Sequence, residues 1–222
     1  MKPTIQQQDN LRNYLRKNLY YRETYIEFYD HIISALENKP NDMNFQDAVD
    51  SIVNEDFGGY NGMSAIEIRY KKEITSEIKN KYLTYLIEYF KYPLIGITAT
   101  LAMLFYWMTK QPWFGFGTFI IIIAVMRITP GLVRYIRDMI SGYVFTRPKS
   151  SVKDSVFKWL DYIPVILFIV FIISHALNTS SPQEWYKNAS PIALSLTMLV
   201  FAIHTLTYFR IYKNEFKTSI TQ

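Results

Sequence analysis

The feature that most constrains this chain is the sudden loss of charge at Pro93. Residues 93–108 read PLIGITATLAMLFYWM, a run of sixteen residues without a formal charge. Immediately before it, residues 64–92 mix charged and apolar side chains with the spacing of a helix that packs on one side. The sequence therefore predicts a water-soluble part before this point and membrane-spanning helices after it.

Four apolar segments follow one another in the second part, at about 93–109, 113–132, 162–178 and 191–209. A hydrocarbon layer of about 30 Å requires ~20 residues of helix, and the first segment, with a charge-free run of sixteen residues, falls short of that length. Nine basic residues lie in the connection at 134–161 and in the C-terminal tail, whereas each of the other two connections holds one. The positive-inside rule then predicts that both termini and the middle connection are cytoplasmic. The predicted fold is all-α: a helical cytoplasmic domain followed by a four-helix transmembrane bundle, residues 93–222, in the inner membrane.

The first 63 residues predict a cytoplasmic three-helix domain. Apolar periodicity indicates helices over residues 4–17 and 22–38, and Asn44 has the side chain of an N-cap for a third helix. The third helix is expected to end at the glycines of the Phe57-Gly58-Gly59 segment, because glycine readily adopts positive φ.

An amphipathic connecting helix is predicted over residues 64–92. Ser64 and Glu67 have the spacing of a capping box, which predicts that the helix begins there. Pro93 allows two interpretations. It is a candidate hinge, since proline weakens a helix by about 3 kcal/mol, or it simply marks the start of the first span.

Composition and motifs limit which catalytic, cofactor and metal sites can be predicted. The chain has no cysteine, and no catalytic, phosphate-binding or metal-ligand motif is present. We therefore predict neither an enzyme nor a cofactor or metal site. Residues 1–63 hold ten acidic and six basic side chains, whereas residues 93–222 hold five acidic and twelve basic ones. The positive charge lies beside the membrane, which favours anionic lipid headgroups as partners over direct nucleic-acid binding.

Two ionisable residues deep in the apolar segments form the candidate intramembrane polar site. Arg127 precedes Arg134 by seven residues and His204 precedes Arg210 by six, so both lie about 10 Å from the inner boundary. One interpretation is that Arg127 reaches the cytoplasmic headgroups while His204 makes an interhelical hydrogen bond. The other is a polar site that the second and fourth spans share.

A second candidate lies in the N-terminal domain. Asp30 and His31 are adjacent in the predicted second helix, but the nearby sequence offers no further ligand or acid–base partner. A structural contact is therefore favoured over a metal or catalytic role. Together with Phe57, Gly58 and Gly59, they form a candidate interaction or structural motif.

The N-terminal third of the chain also resembles a known type of domain. Residues 10–70 resemble the HAAS type, small α-helical signalling domains associated with helix-turn-helix regulators of the PadR class. The matching residues are Leu11, Leu15, Tyr29-Asp30-His31-Ile32, Ala35-Leu36-Glu37, Phe45, Ala48-Val49 and Phe57-Gly58-Gly59. The resemblance implies a bacterial membrane protein whose cytoplasmic domain works with a PadR-like transcription regulator.

The sequence thus favours a regulatory or protein-interaction role over catalysis. A transporter or channel subunit is the alternative, although the apolar segments contain no carboxylate of the kind that proton- or cation-coupled pathways use. A membrane enzyme ranks third. Membrane lipids and a cytoplasmic protein are the expected partners, and oligomerisation stays open.

Overall fold

The computed structural model describes residues 1–140, 150–166, 168–169 and 182–217, and within these ranges the chain is helical without a strand. Most of the predicted third span lies outside the described residues. The helices are α1 Ile5–Asn18, α2 Arg22–Glu37, α3 Phe45–Phe57, α4 Gly59–Glu88, α5 Ile95–Thr109, α6 Phe116–Ile140, α7 Val152–Leu160, α8 Pro182–Asn188 and α9 Pro191–Lys217.

The chain divides into two compact units. The N-terminal unit comprises Met1–Glu77 with the described residues of 146–156, and the C-terminal unit comprises the remaining described residues from Ile78 onward. The division falls inside α4 and inside α7, so neither boundary coincides with the predicted change at residue 63 or at Pro93. Each unit has its own hydrophobic core.

Local signals build the first three helices of the N-terminal unit. Thr4 caps α1 in a reciprocal capping box with Gln7, and Asn44 caps α3 by accepting from the Gln46 amide at 2.8 Å. The predicted helices at 4–17 and 22–38 and the predicted cap at Asn44 are confirmed. Their apolar faces form one buried core, whose members are Leu11, Leu15, Leu19, Phe28, Ile32, Leu36, Ala48, Val49, Ile52, Val53 and Met63.

The junction of α3 and α4 is built on glycine. Gly58 and Gly59 have φ values of 70° and 75°, which non-glycine residues rarely adopt. Gly62 allows a close approach of backbone, because a Cβ at this position would lie 1.6 Å from the Phe57 carbonyl oxygen. The sequence therefore turns directly from one helix into the next.

The predicted start of the long helix at Ser64 is wrong. The helix α4 begins at Gly59, so Ser64 lies inside it and is not an N-cap. Glu67 instead reaches the N-terminus of α2: its carboxylate accepts from the Tyr20 and Tyr21 amides and, at 2.6 Å, from the Thr24 hydroxyl. Because α2 has no side-chain cap of its own, Glu67 supplies one.

In the C-terminal unit, α9 is the central helix. It packs against both α5 and α6, and the buried core around it consists of Tyr89, Phe105, Phe114, Phe119, Ile123, Leu194, Met198, Leu199, Phe201, Ala202 and Ile203. The core is rich in large aromatic and aliphatic side chains that mesh between the three helices.

Two of the described helices are long and apolar enough to cross a membrane. These stretches are Phe116–Arg137 in α6 and Pro191–Glu215 in α9, whereas α5 is apolar but shorter. The two differ in burial: 17% of the apolar window of α6 is buried, against 56% for α9. The apolar surface of α6 is therefore mostly not covered by the rest of the described chain.

Pro93 lies in a turn between two helices. The helix α4 ends at Glu88, before the predicted residue 92, and α5 begins at Ile95. The end of α4 packs close to the start of α5, since the Thr98 hydroxyl donates to the Tyr89 carbonyl at 2.6 Å. A turn therefore separates the connecting helix from the first apolar helix, and the role of Pro93 as a hinge stays a prediction.

Candidate functional site

The C-terminal unit contains an open cavity of about 410 Å³ beside the second half of α6. From α6 it is lined by Arg127, Arg134 and their apolar neighbours, and from the end of α7 and the turn after it by Lys158 and Asp161. Three basic side chains thus surround one carboxylate.

Asp161 fixes one side of this cavity. The residue is 6% exposed, and its Oδ2 lies 2.7 Å from the guanidinium of Arg134. Arg134 also donates to the Tyr208 hydroxyl of α9 at 3.4 Å, and Tyr208 is fully buried. Burial raises the pKa of Asp161, and the positive charge of Arg134 opposes that shift. The ion pair therefore holds Arg134 in a defined position at the cavity wall.

The positive charge of Arg127 is less fully neutralised than that of Arg134. The Nε of Arg127 is buried and has no hydrogen-bond partner among the residues that the structure describes. Its charge is within electrostatic range of Asp161, which already pairs with Arg134. A buried guanidinium nitrogen without an acceptor is unfavourable, and the nearest carboxylate is already engaged with Arg134.

His204 takes part in a separate buried contact. Its Nδ1 lies 2.6 Å from the hydroxyl of Tyr82 at the end of α4, and both residues are buried. Burial raises the pKa of Tyr82 to about 12, so the phenol stays protonated at neutral pH. The protonated hydroxyl can donate to Nδ1 or accept from it, according to the imidazole tautomer.

The structure brings the two predicted intramembrane residues close together at the interface of α6 and α9. The hydroxyl of Thr205, beside His204, donates to the carbonyl of Met126, beside Arg127, at 3.1 Å. Arg127 is also within electrostatic range of His204. The two residues nevertheless have different surroundings, since His204 bonds to Tyr82 while Arg127 lines the cavity.

The motif in the N-terminal unit has a clear structural role. Nε2 of His31 lies 2.9 Å from Oδ2 of Asp56, and the imidazole packs edge-on against Phe57 with ring centroids 4.9 Å apart. Phe57 also packs against buried Phe28. Asp30 is exposed, and no partner is found for it among the described residues. His31 and Phe57 thus brace the end of α3, and Asp30 is left on the surface.

Sequence reasoning missed Asp161 and the cavity that it helps to form. Arg134 and Lys158 were used only to predict the membrane topology, and Asp161 lies just before the predicted third span. An acidic residue between Leu160 and Tyr162, next to an apolar segment, was the available signal. In the described parts of the chain, no group of His and carboxylate side chains has the arrangement of a metal site.

No protein-family model, curated protein or solved structure matches this chain.

Proposed function

We propose that this protein is a multi-pass protein of a bacterial inner membrane, with a cytoplasmic helical domain that binds a regulatory protein. The observation that supports it best is the contrast within α6, which is apolar over Phe116–Arg137 yet only 17% buried in its apolar window. A core helix of a water-soluble protein would be mostly buried, so lipid is the natural environment for this surface.

The proposed topology has four spans with both termini in the cytoplasm. In addition to α6 and α9, it uses α5 as a short first span and the predicted segment at 162–178 as the third. The excess of basic residues at 134–161 and in the C-terminal tail supports this orientation. Reporter fusions after Gln222 and within 180–188 test it, and an active periplasmic reporter at the C-terminus would refute the orientation.

The regulatory role is assigned to the N-terminal unit. This unit has a closed core of its own and an acidic surface, as befits a domain that works in water. Because this unit resembles HAAS-type domains, we propose a PadR-like regulator as its partner. The surface beside His31 and Asp56, with exposed Asp30, is the proposed contact region.

Co-purification of the full-length protein, in detergent, with a tagged PadR-type regulator from the same genome tests this role. We expect Asp30→Lys to reduce recovery of the regulator several-fold, because it reverses a charge in the contact region without disturbing the core. Asp47→Lys is the matched control: Asp47 is also exposed but lies about 14 Å from Asp56 along α3. Equal loss with both variants, or binding by neither protein, would reject the assignment.

A further inference from the structure

The cavity of the C-terminal unit has a positive excess. Arg127, Arg134 and Lys158 line it against the single carboxylate of Asp161, which is engaged with Arg134. Within the described residues, Lys158 is exposed and has no ion-pair partner. The net positive charge and the free ammonium group together favour an anion.

Part of the lining of the same cavity is apolar and exposed. Ile128 and Leu132, one turn apart on α6, line it and are each at least half exposed. Tyr135 and Tyr162 lie beside them and are also exposed. A site for a small hydrophilic anion has no need of such a wall, whereas an anion joined to a hydrocarbon chain would contact both parts.

We propose that this cavity binds the phosphate group of an anionic glycerophospholipid, with Ile128 and Leu132 against its acyl chain. Guanidinium groups bind phosphate oxygens in a bidentate manner, and both Arg127 and Arg134 line the cavity. The proposal rests on the proposed membrane insertion, which puts Arg134 and Lys158 at the cytoplasmic headgroup layer, where anionic lipids are found. The long side chain of Arg127 reaches toward that layer from about 10 Å deeper along α6.

The residues that line the cavity have separate roles in recognition. Asp161 holds Arg134 in place and so acts as a positioning residue. The tyrosines suit the interfacial layer, where aromatic rings are enriched. The volume of about 410 Å³ is enough for a headgroup and the first part of an acyl chain.

Two variants separate charge from shape. Arg127→Gln removes the positive charge. Gly131→Leu leaves the charges intact and fills space, because a Cβ at Gly131 meets no atom within 4 Å. Gly131 itself lines the cavity, so the new side chain should occlude it. Lys213→Gln is the control, since Lys213 is an exposed cation that does not line the cavity.

The experiment titrates the full-length protein, in a zwitterionic detergent, with short-chain phosphatidylglycerol, short-chain phosphatidylcholine and inorganic phosphate, and measures binding by native mass spectrometry. We expect phosphatidylglycerol to bind about tenfold more tightly than phosphatidylcholine. Arg127→Gln should weaken phosphatidylglycerol binding about tenfold, the effect of losing one charge-assisted contact. Gly131→Leu should weaken it by about tenfold or more, because the new side chain occupies the cavity. Lys213→Gln should leave the affinity within about twofold. Circular dichroism confirms that each variant is folded.

Unchanged phosphatidylglycerol binding in folded Arg127→Gln and Gly131→Leu proteins would overturn the proposal. Inorganic phosphate that binds as tightly as phosphatidylglycerol would overturn the lipid as the source of the phosphate. Extraction of the membranes with alkaline carbonate is a separate arm. A chain that stays in the pellet but shows no preference for the anionic lipid refutes only this inference, whereas a chain released by carbonate refutes membrane insertion itself.

Discussion

Removal of the Glu67 carboxylate tests how the N-terminal unit is held together. Glu67 accepts hydrogen bonds from two backbone amides and one hydroxyl at the start of α2, and it is 8% exposed. Two of these donors belong to Tyr21 and Thr24, which are 5% and 1% exposed. The Thr24 hydroxyl retains the Tyr21 carbonyl as an acceptor at 3.0 Å, so the buried Tyr21 amide is the donor that loses its partner.

The magnitude follows from these contacts. A buried donor without a partner costs about 1–3 kcal/mol, and loss of a negative charge at a helix N-terminus costs about 0.3–1 kcal/mol. Glu67→Ala should therefore destabilise the N-terminal unit by about 1–4 kcal/mol. Glu67→Gln retains one acceptor oxygen but turns an amide NH₂ toward donors, so we expect a smaller loss of about 1 kcal/mol.

Hydrogen exchange of the full-length protein, followed by mass spectrometry of peptides from α2, measures the effect where it arises. Since 1.4 kcal/mol corresponds to a factor of ten, exchange in α2 should accelerate about tenfold to several-hundredfold in Glu67→Ala. Glu73→Gln is the control, because Glu73 lies six residues further along α4 and is exposed. Its effect should stay below about 0.5 kcal/mol.

The reasoning fails if Glu67→Ala leaves protection of α2 unchanged. It also fails if Glu67→Ala and Glu73→Gln accelerate exchange equally, because the effect would then reflect the charge of α4 and not the cap that it provides.

Three further predictions concern the junctions of the chain. Gly62→Ala should destabilise the protein by more than about 1 kcal/mol in chemical denaturation, because the new Cβ would lie 1.6 Å from a backbone carbonyl oxygen. Gly96→Ala is the control, since the space around Gly96 is open, and an equal effect of the two variants would exclude the clash as the cause. A fragment 1–90 should melt cooperatively by circular dichroism and a fragment 1–63 should not, since α4 contributes to the core; identical melting would contradict this. Pro93→Ala should leave regulator binding unchanged, because the residue lies inside the C-terminal unit, and altered binding would support the hinge.

The helices of the N-terminal unit could be predicted because their signals are local. Thr4 and Asn44 cap the helices that directly follow them, and the apolar periodicity of α1 to α3 matches the buried faces. The Gly58-Gly59 end of α3 followed from the conformational freedom of glycine, as the φ values of both residues require.

Contacts between distant residues could not be predicted in the same way. Glu67 had the spacing of a local cap with Ser64, but its carboxylate bonds to residues more than forty positions earlier. The pairing of Asp161 with Arg134 likewise depends on how α7 and α6 meet. Periodicity places a residue on a face of a helix but does not identify the helix that it faces.

Arg127 and His204 are an intermediate case. Equal depth along two apolar segments suggested that they could meet, and the contact of Thr205 with Met126 places the two positions side by side. Their actual partners, the cavity for Arg127 and Tyr82 for His204, depend on α7 and α4. These helices lie outside the two segments from which the prediction was made.

Insertion into the membrane can be tested directly by alkaline carbonate extraction. The experiment uses membranes from cells that express the full-length chain. We expect the protein to stay in the membrane pellet, because the apolar surface of α6 is mostly uncovered within the described chain and is suited to contact with lipid. Release of the folded protein into the carbonate supernatant would contradict the account.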